Sequence, residues 1–147
     1  MEGASRDAAA ARRDDRAREG VRNFFDERFE LYHLDKLSKD PTVFTYFSPD
    51  LGATAKEQTL KTLEHLVFDT NGDFRSFFTS RKTFVDRRLA ALYGLPAKAR
   101  AGFAEVELQS EDRRRGFMGH TSFLALQAHA IGTSATLRGK FVLEVVL

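Results

Sequence analysis

Apolar side chains that recur every three or four residues dominate the first half of this sequence. This spacing places them on one face of an α-helix, and such a face must be buried against other elements. The clearest case is an aromatic stripe that contains Val21, Phe24, Phe25, Phe29 and Tyr32. We predict one long helix over residues 1–34, with this stripe packed into the core of the protein.

A second helix is predicted from a start signal and a periodic apolar face. Ser48 is a suitable capping hydroxyl, and Pro49 after it fits the first position of a helix. We expect this helix to run to about Phe68. Its predicted apolar face consists of Ala53, Leu60, Leu63 and Val67.

Two further helices are predicted between residues 73 and 94. Asp73 is a candidate cap for a short third helix. Thr83 followed by Asp86 has the spacing of a capping box, which predicts a fourth helix over residues 84–93. Gly94 supplies the left-handed residue that ends such a helix.

The rest of the chain predicts a mixture of short elements. Alternating residues favour one short extended segment near residues 103–108, followed by a charged turn over residues 111–115 and a short helix over residues 119–128. The fold class is therefore mainly α, a compact domain of four to six helices with that one extended segment. The predicted core consists of Phe24, Phe25, Phe29, Leu60, Leu63, Val67, Phe77, Phe84, Leu89 and Leu92.

Composition limits the classes of protein to which this chain can belong. Apolar residues make up 42% and charged residues 30% of the sequence, which supports a packed core. A net charge of +2 is too small to indicate a nucleic-acid partner. The absence of cysteine excludes disulfides, thiolate zinc sites and covalent haem attachment in this chain. No signal peptide is evident, and residues 116–137, although uncharged, are too polar to predict membrane insertion.

Two histidines are candidate ligands for a metal ion. His120 and His129 are nine residues apart, so they do not form the i, i+4 pair of a helical zinc site. They would converge only if the segment folds back after its helix, with Asp112 or Glu111 as a third ligand. The alternative is that each histidine is a structural residue whose hydrogen bonds are satisfied.

A candidate anion site lies just before the last helical segment. Thr133, Ser134 and Arg138 offer two hydroxyl groups and a guanidinium group. Such groups at the start of a helix can hold an anion, but the same hydroxyls more commonly cap the helix. Both interpretations remain open from the sequence.

The order of motifs along the chain resembles a known bacterial domain family, domain of unknown function 1592 (DUF1592). The motifs in its first part are Phe24-Phe25, Lys39-Asp40-Pro41, Phe44, Ser48-Pro49 and Glu64-His65-Leu66-Val67. The second part contains Thr83-Phe84-Val85-Asp86-Arg87-Arg88-Leu89-Ala90 and Tyr93-Gly94-Leu95-Pro96. The C-terminal motifs, which include Arg114-Arg115-Gly116-Phe117-Met118, Thr133-Ser134 and Arg138-Gly139-Lys140, resemble the opening of its companion, domain of unknown function 1588 (DUF1588).

This resemblance implies an organisation and a context. Residues 1–20 would be an N-terminal helical arm, residues 21–100 the helical DUF1592-like domain, and residues 101–147 a connector with the truncated beginning of the DUF1588-like domain. Such domains occur in large exported proteins of planctomycetes, myxobacteria and their relatives, often beside a c-type cytochrome module. The resemblance therefore implies a periplasmic or exported location, and any haem would belong to other domains of the parent protein.

Two functions follow as expectations, and the sequence does not decide whether the chain is part of an enzyme. The first is a non-catalytic helical module that packs against sibling domains of the same polypeptide. The apolar residues 141–147 and the region around Phe117 supply a surface for this contact, and a second copy of the chain is an alternative occupant of the apolar C-terminal end. The second function is a fragment of an oxidoreductase whose metal or substrate site uses His120 and His129 together with other domains.

Overall fold

A computed structural model describes residues 2–70, 72–111 and 113–147, with side chains from Asp14 onward. Within these ranges, five helices α1 to α5 cover Glu2–Arg28, Leu51–Glu64, Arg87–Leu92, Thr121–Leu126 and Ala135–Phe141. Strands β1 and β2 cover Lys82–Val85 and Ala104–Glu107. Short 3-10 helical segments cover Leu31–Lys36, Phe74–Phe78 and Phe117–Gly119, and π-helical turns cover His65–Asp69 and Val142–Val146. The mainly α fold class is confirmed. None of the described helices combines the length and apolarity needed to cross a lipid bilayer.

Helix α1 ends at Arg28, so the prediction of one helix over residues 1–34 is wrong at its C-terminal end. Glu30 adopts a left-handed conformation with φ of 56°, and the chain then turns into the first 3-10 segment. This reversal buries Leu31 and Leu34, which are 0% and 1% exposed. Tyr32, which a continued helix would place on the aromatic stripe, lies instead on the surface. Burial of the two leucines is the physical gain that favours the break.

Helix α2 confirms the predicted second helix with a shift at its start. The helix begins at Leu51, and the backbone N–H of Leu51 donates to the carbonyl of Ser48. Its π-helical extension reaches Asp69, close to the predicted end. The predicted apolar face is only partly right, because Ala53 and Val67 are exposed.

Strand β1 replaces the predicted start of the fourth helix. Thr83 and Val85 point to the buried side of the strand, which pairs antiparallel with β2. Asp86 is therefore not the partner in a capping box. Its carboxylate is itself the N-cap of α3 and accepts a hydrogen bond of 2.9 Å from the backbone N–H of Leu89. The predicted end of this helix is confirmed, because Gly94 follows it with φ of 68°.

The two-stranded sheet pairs the segments that precede and follow helix α3. Thr83 in β1 lies opposite Val106 in β2, and Lys82 lies opposite Glu107. Strand β2 confirms the extended segment predicted near residues 103–108. The sequence did not predict its partner, because β1 contains the residues that were assigned to a helix.

Two apolar clusters form the core, and each combines residues from both halves of the chain. The first contains Phe29, Leu31, Leu34, Leu60, Leu63, Phe77, Phe117, Phe123 and Phe141. The second contains Leu51, Val85, Leu89, Ala90, Tyr93, Val106 and Leu108. Five predicted core residues, Phe29, Leu60, Leu63, Phe77 and Leu89, are buried as expected, and Phe25, Phe84 and Leu92 are partly buried. The core prediction is wrong for Phe24 and Val67, because 59% and 38% of their surfaces are exposed.

Candidate functional site

A buried network of polar side chains connects helix α2, strand β1, Tyr93 and the segment around helix α4. We call it the polar network, and its members are Gln58, Thr59, Thr62, Thr83, Tyr93, His120, Thr121 and Ser122. Apart from Thr62, all of them are buried. Buried polar groups are costly unless they are hydrogen-bonded, and these groups satisfy one another.

His120 is the titratable group at the centre of the polar network, and it is 1% exposed. Its Nδ1 atom lies 3.1 Å from the hydroxyl oxygen of Thr59, and its Nε2 atom lies 3.2 Å from that of Thr83. Since a neutral imidazole has one donor and one acceptor nitrogen, one threonine donates to the ring and the other accepts from it. The Thr59 hydroxyl also lies 2.6 Å from the hydroxyl of Ser122.

The other end of the polar network is organised around the phenol of Tyr93. Its oxygen accepts a hydrogen bond of 2.9 Å from the backbone N–H of Thr121, at the start of α4. The Nε2 atom of Gln58 lies 3.1 Å from this phenol oxygen, and it also donates a hydrogen bond of 3.2 Å to the hydroxyl oxygen of Thr83. The network therefore fixes α4 against α2 and β1 by directional bonds.

Burial, more than any charged neighbour, determines the protonation of His120. Desolvation lowers the pKa of its imidazole to about 3, because a buried ring loses the hydration that stabilises the cation. A general base acts best with a pKa near the working pH and with its nitrogen within reach of a substrate. His120 meets neither condition, so this arrangement stabilises the fold and is not suited to proton transfer.

The two histidines predicted as metal ligands differ in their exposure to solvent. His120 is buried, whereas His129 is exposed, and its backbone carbonyl accepts a hydrogen bond of 2.9 Å from Lys39. Asp112 lies outside the described residues. Across residues 2–70, 72–111 and 113–147, no group of three His, Cys, Asp or Glu side chains is arranged to hold a metal ion. The shared site of His120, His129 and Asp112 stays a prediction.

The predicted anion-binding residues divide between two roles. The Ser134 hydroxyl accepts a hydrogen bond of 3.2 Å from the backbone N–H of Leu137, so it caps helix α5. Thr133 and Arg138 line a cavity of about 400 Å³ between the loop after the first 3-10 turn and helix α4. Arg114, from the charged turn, lines the same cavity, and its guanidinium lies 5.0 Å from the centre of the Tyr93 ring.

The remaining histidines occupy peripheral positions. His33 is exposed in the first 3-10 turn, where its ring lies 4.3 Å from that of Tyr32. His65 is half-buried, with Nδ1 3.1 Å from a carboxylate oxygen of Asp69 and Nε2 3.4 Å from one of Glu105. It links the π-helical extension of α2 to strand β2.

Sequence reasoning missed most of the polar network, although one signal for it was present. Gln58 and Thr59 follow Ala55 by three and four residues, so they share the buried face of α2 with it. Polar residues on an apolar helical face must have polar partners, and this requirement predicts a network even before the partners are known.

Comparison with known proteins identifies the family of this chain. A family model described as PSD4, a protein of unknown function (DUF1592), matches residues 2–95. The chain belongs to the DUF1592 family. No curated protein matches the chain, and no solved structure matches it either.

In this DUF1592 protein, the residues that follow the matched range pack directly against those within it. Strand β2 pairs with β1, and the ring centroids of Phe117 and Phe29 are 4.5 Å apart in the first apolar cluster. The resemblance of residues 101–147 to a DUF1588 domain, and the division of the chain at residue 100, stay predictions.

Proposed function

We propose that this DUF1592 chain is a non-catalytic helical module of a larger exported bacterial protein, in which it packs against sibling domains. The proposal extends to a periplasmic or extracellular location and to association with c-type cytochrome domains, which the family resemblance implies. Because this chain contains no cysteine, covalently attached haem would reside in another part of such a protein.

The observation that carries the proposal is a groove between the end of helix α1 and the C-terminal π-helical turn, where large apolar side chains are exposed. Phe24 and Val145 line this groove together with four charged residues, Glu27, Arg28, Glu30 and Glu144. Phe24 is 59% exposed, and Leu143 in the same turn is 71% exposed. Large apolar side chains with charged neighbours are typical of a contact surface for another folded unit.

The polar network supports the non-catalytic part of the proposal. The hydroxyl and imidazole groups that resemble catalytic residues are buried, and their hydrogen bonds are directed to one another. A substrate atom would have to displace these bonds in order to reach His120, and the lowered pKa makes its ring a poor base.

Hydrogen exchange tests the proposed contact. Amide exchange would be measured for the isolated 147-residue chain and for the longer polypeptide that contains it. We expect the peptides that carry Phe24 and Leu143 to exchange about tenfold more slowly in the longer polypeptide, because a covered surface opens less often. Equal rates in the two samples would overturn the proposal. Protection that rises with the concentration of the isolated chain would assign the surface to a second copy instead.

A matched pair of variants localises the contact. Leu143→Ser changes an exposed side chain in the proposed surface, and Ile131→Ser changes one that is 68% exposed elsewhere. We expect only Leu143→Ser to reduce the protection in the longer polypeptide, whereas both isolated variants keep the stability of the parent chain. An equal effect of the two substitutions would contradict a contact at this surface.

Metal titration distinguishes the module from the fragment of an oxidoreductase. Zinc, copper and iron binding would be measured for the purified chain and for a variant with both His120→Ala and His129→Ala. We expect no stoichiometric binding at micromolar metal, because the ring nitrogens of His120 are already hydrogen-bonded. Stoichiometric binding that the double variant loses would overturn the non-catalytic proposal.

A further inference from the structure

The cavity of about 400 Å³ lies on a different part of the molecule from the proposed contact surface. Its walls come from the loop before α2, the start of α2, the end of α3, and helices α4 and α5. Most of the lining is apolar, with Leu37, Phe44, Phe47, Leu92 and Leu124 among its large side chains. Its volume falls within the range of small-molecule sites, and an apolar wall favours a ligand with an apolar body.

Every charged side chain that lines this cavity is a cation. The three are Lys39, Arg114 and Arg138, and no aspartate or glutamate contributes to the wall. In the described parts of the chain, none of the three belongs to an ion pair, although nine other lysines and arginines do. The cavity therefore combines an apolar interior with a local excess of positive charge.

Lys39 is the most constrained of these cations. Its ammonium group donates hydrogen bonds of 2.9 Å to the backbone carbonyls of Ala128 and His129, so it is held at the end of helix α4. Burial lowers the pKa of this ammonium group, because part of its hydration is lost. An anion beside it would restore favourable interactions to a partly desolvated charge.

We propose that this cavity binds a small molecule that has an apolar body and a single carboxylate. The apolar body fills the space between Phe44, Phe47 and Leu124, and the carboxylate lies among the cationic side chains. Among the lining residues, Arg138 offers a fork of N–H donors, Thr133 offers a hydroxyl group, and Arg114 offers a second guanidinium group. The site is independent of the proposed packing role, since the two surfaces share no lining residue.

A titration with phenylbutyrate tests the proposal. Its neutral amide, phenylbutyramide, has the same body without the charge, and inorganic phosphate supplies an anion without the body. Followed by NMR, we expect phenylbutyrate to shift resonances of the lining residues with a Kd of about 1 mM or tighter. We expect phenylbutyramide and phosphate to bind about tenfold more weakly, and the affinity for phenylbutyrate to fall with added salt. Equal binding of the amide, or no binding of phenylbutyrate, would overturn the proposal.

Two variants and one control locate the bound carboxylate. Arg138→Gln removes a cation of the cavity, whereas Lys140→Gln removes one from the same helix that lies outside it and pairs with Glu144. We expect about a tenfold loss of affinity for Arg138→Gln and no change for Lys140→Gln. Ala125→Phe fills the cavity, and we expect it to abolish binding in a folded chain. If Ala125→Phe does not fold, the comparison of Arg138→Gln with Lys140→Gln still tests the proposal. Equal affinities of these two variants for phenylbutyrate would overturn it.

Discussion

At the scale of single residues, His120 couples the stability of the chain to pH. In the folded state its pKa is lowered to about 3, whereas an unfolded histidine titrates near 6.5. Between these values the unfolded chain binds one more proton than the folded chain. The free energy of unfolding therefore falls as the pH is lowered through this window, and the contribution is complete above about pH 6.5.

Urea unfolding at two pH values measures this coupling. Between pH 7.5 and pH 5.0, we expect His120 to account for a loss of about 2 kcal/mol in the free energy of unfolding. A His120→Asn variant keeps a donor and an acceptor for the two threonines but does not titrate, so this part of the loss should disappear. The His33→Gln variant changes an exposed ring and should keep it. An identical pH dependence in the parent chain and in His120→Asn would contradict this assignment.

Gly116 occupies a position that only a glycine fits without strain. Its φ of 57° lies in the left-handed region, and an added Cβ would lie 2.1 Å from the carbonyl oxygen of Phe78. Its backbone N–H donates to the carbonyl of Ser80 at 2.6 Å, so the chain cannot easily move away. The close approach places Phe117 in the first apolar cluster.

The variant Gly116→Ala should therefore lose about 3 kcal/mol of unfolding free energy, from backbone strain and from the clash with Phe78. Gly139→Ala is the control, because Gly139 lies in helix α5 with open space around it. There the alanine should stabilise the chain by about 0.5–1 kcal/mol. Chemical unfolding of both variants gives the comparison, and equal effects would show that the tight contact at Gly116 is not formed.

At the scale of elements, the boundary between strand β1 and helix α3 depends on Asp86. Its carboxylate caps the helix directly, so Asp86→Ala should lower the free energy of unfolding by about 1 kcal/mol. Asp86→Asn keeps a capping oxygen and should remain close to the parent chain. Unfolding in urea distinguishes the two. A loss of equal size in both variants would mean that the charge, and not the cap, carries the effect.

Local signals in the sequence predicted the elements that depend on local contacts. Helix α2 and the end of α3 at Gly94 follow from periodicity and from a conformation that glycine favours. Strand β1 did not follow, because its partner β2 lies about twenty residues away and a capping-box spacing competed with the alternation of Thr83 and Val85. The same limit applies to the candidate site, where the cavity is formed by segments that are far apart in sequence.

At the scale of the whole molecule, the aromatic side chains connect the two halves of the chain. The Phe117 ring is fully buried and lies 4.5 Å from Phe29 and 5.3 Å from Phe77, centroid to centroid. It also lies 5.4 Å from Phe123 and 6.3 Å from Phe141, again between ring centroids. Residues within and after the matched range therefore share one core, and we expect them to unfold in a single cooperative transition.

A pair of phenylalanine variants tests this description of the core. Phe117→Ala removes a ring from the centre of the first apolar cluster and should cost about 3–5 kcal/mol. Phe24→Ala removes a ring that is 59% exposed and should cost less than about 1 kcal/mol in the isolated chain.

Fluorescence of the three tyrosines and circular dichroism would follow urea unfolding of each variant. Similar losses would show that Phe24 is buried, as the predicted aromatic stripe requires, and would contradict this description of the core. Transitions of Phe117→Ala that differ between the two probes would show instead that the halves fold separately.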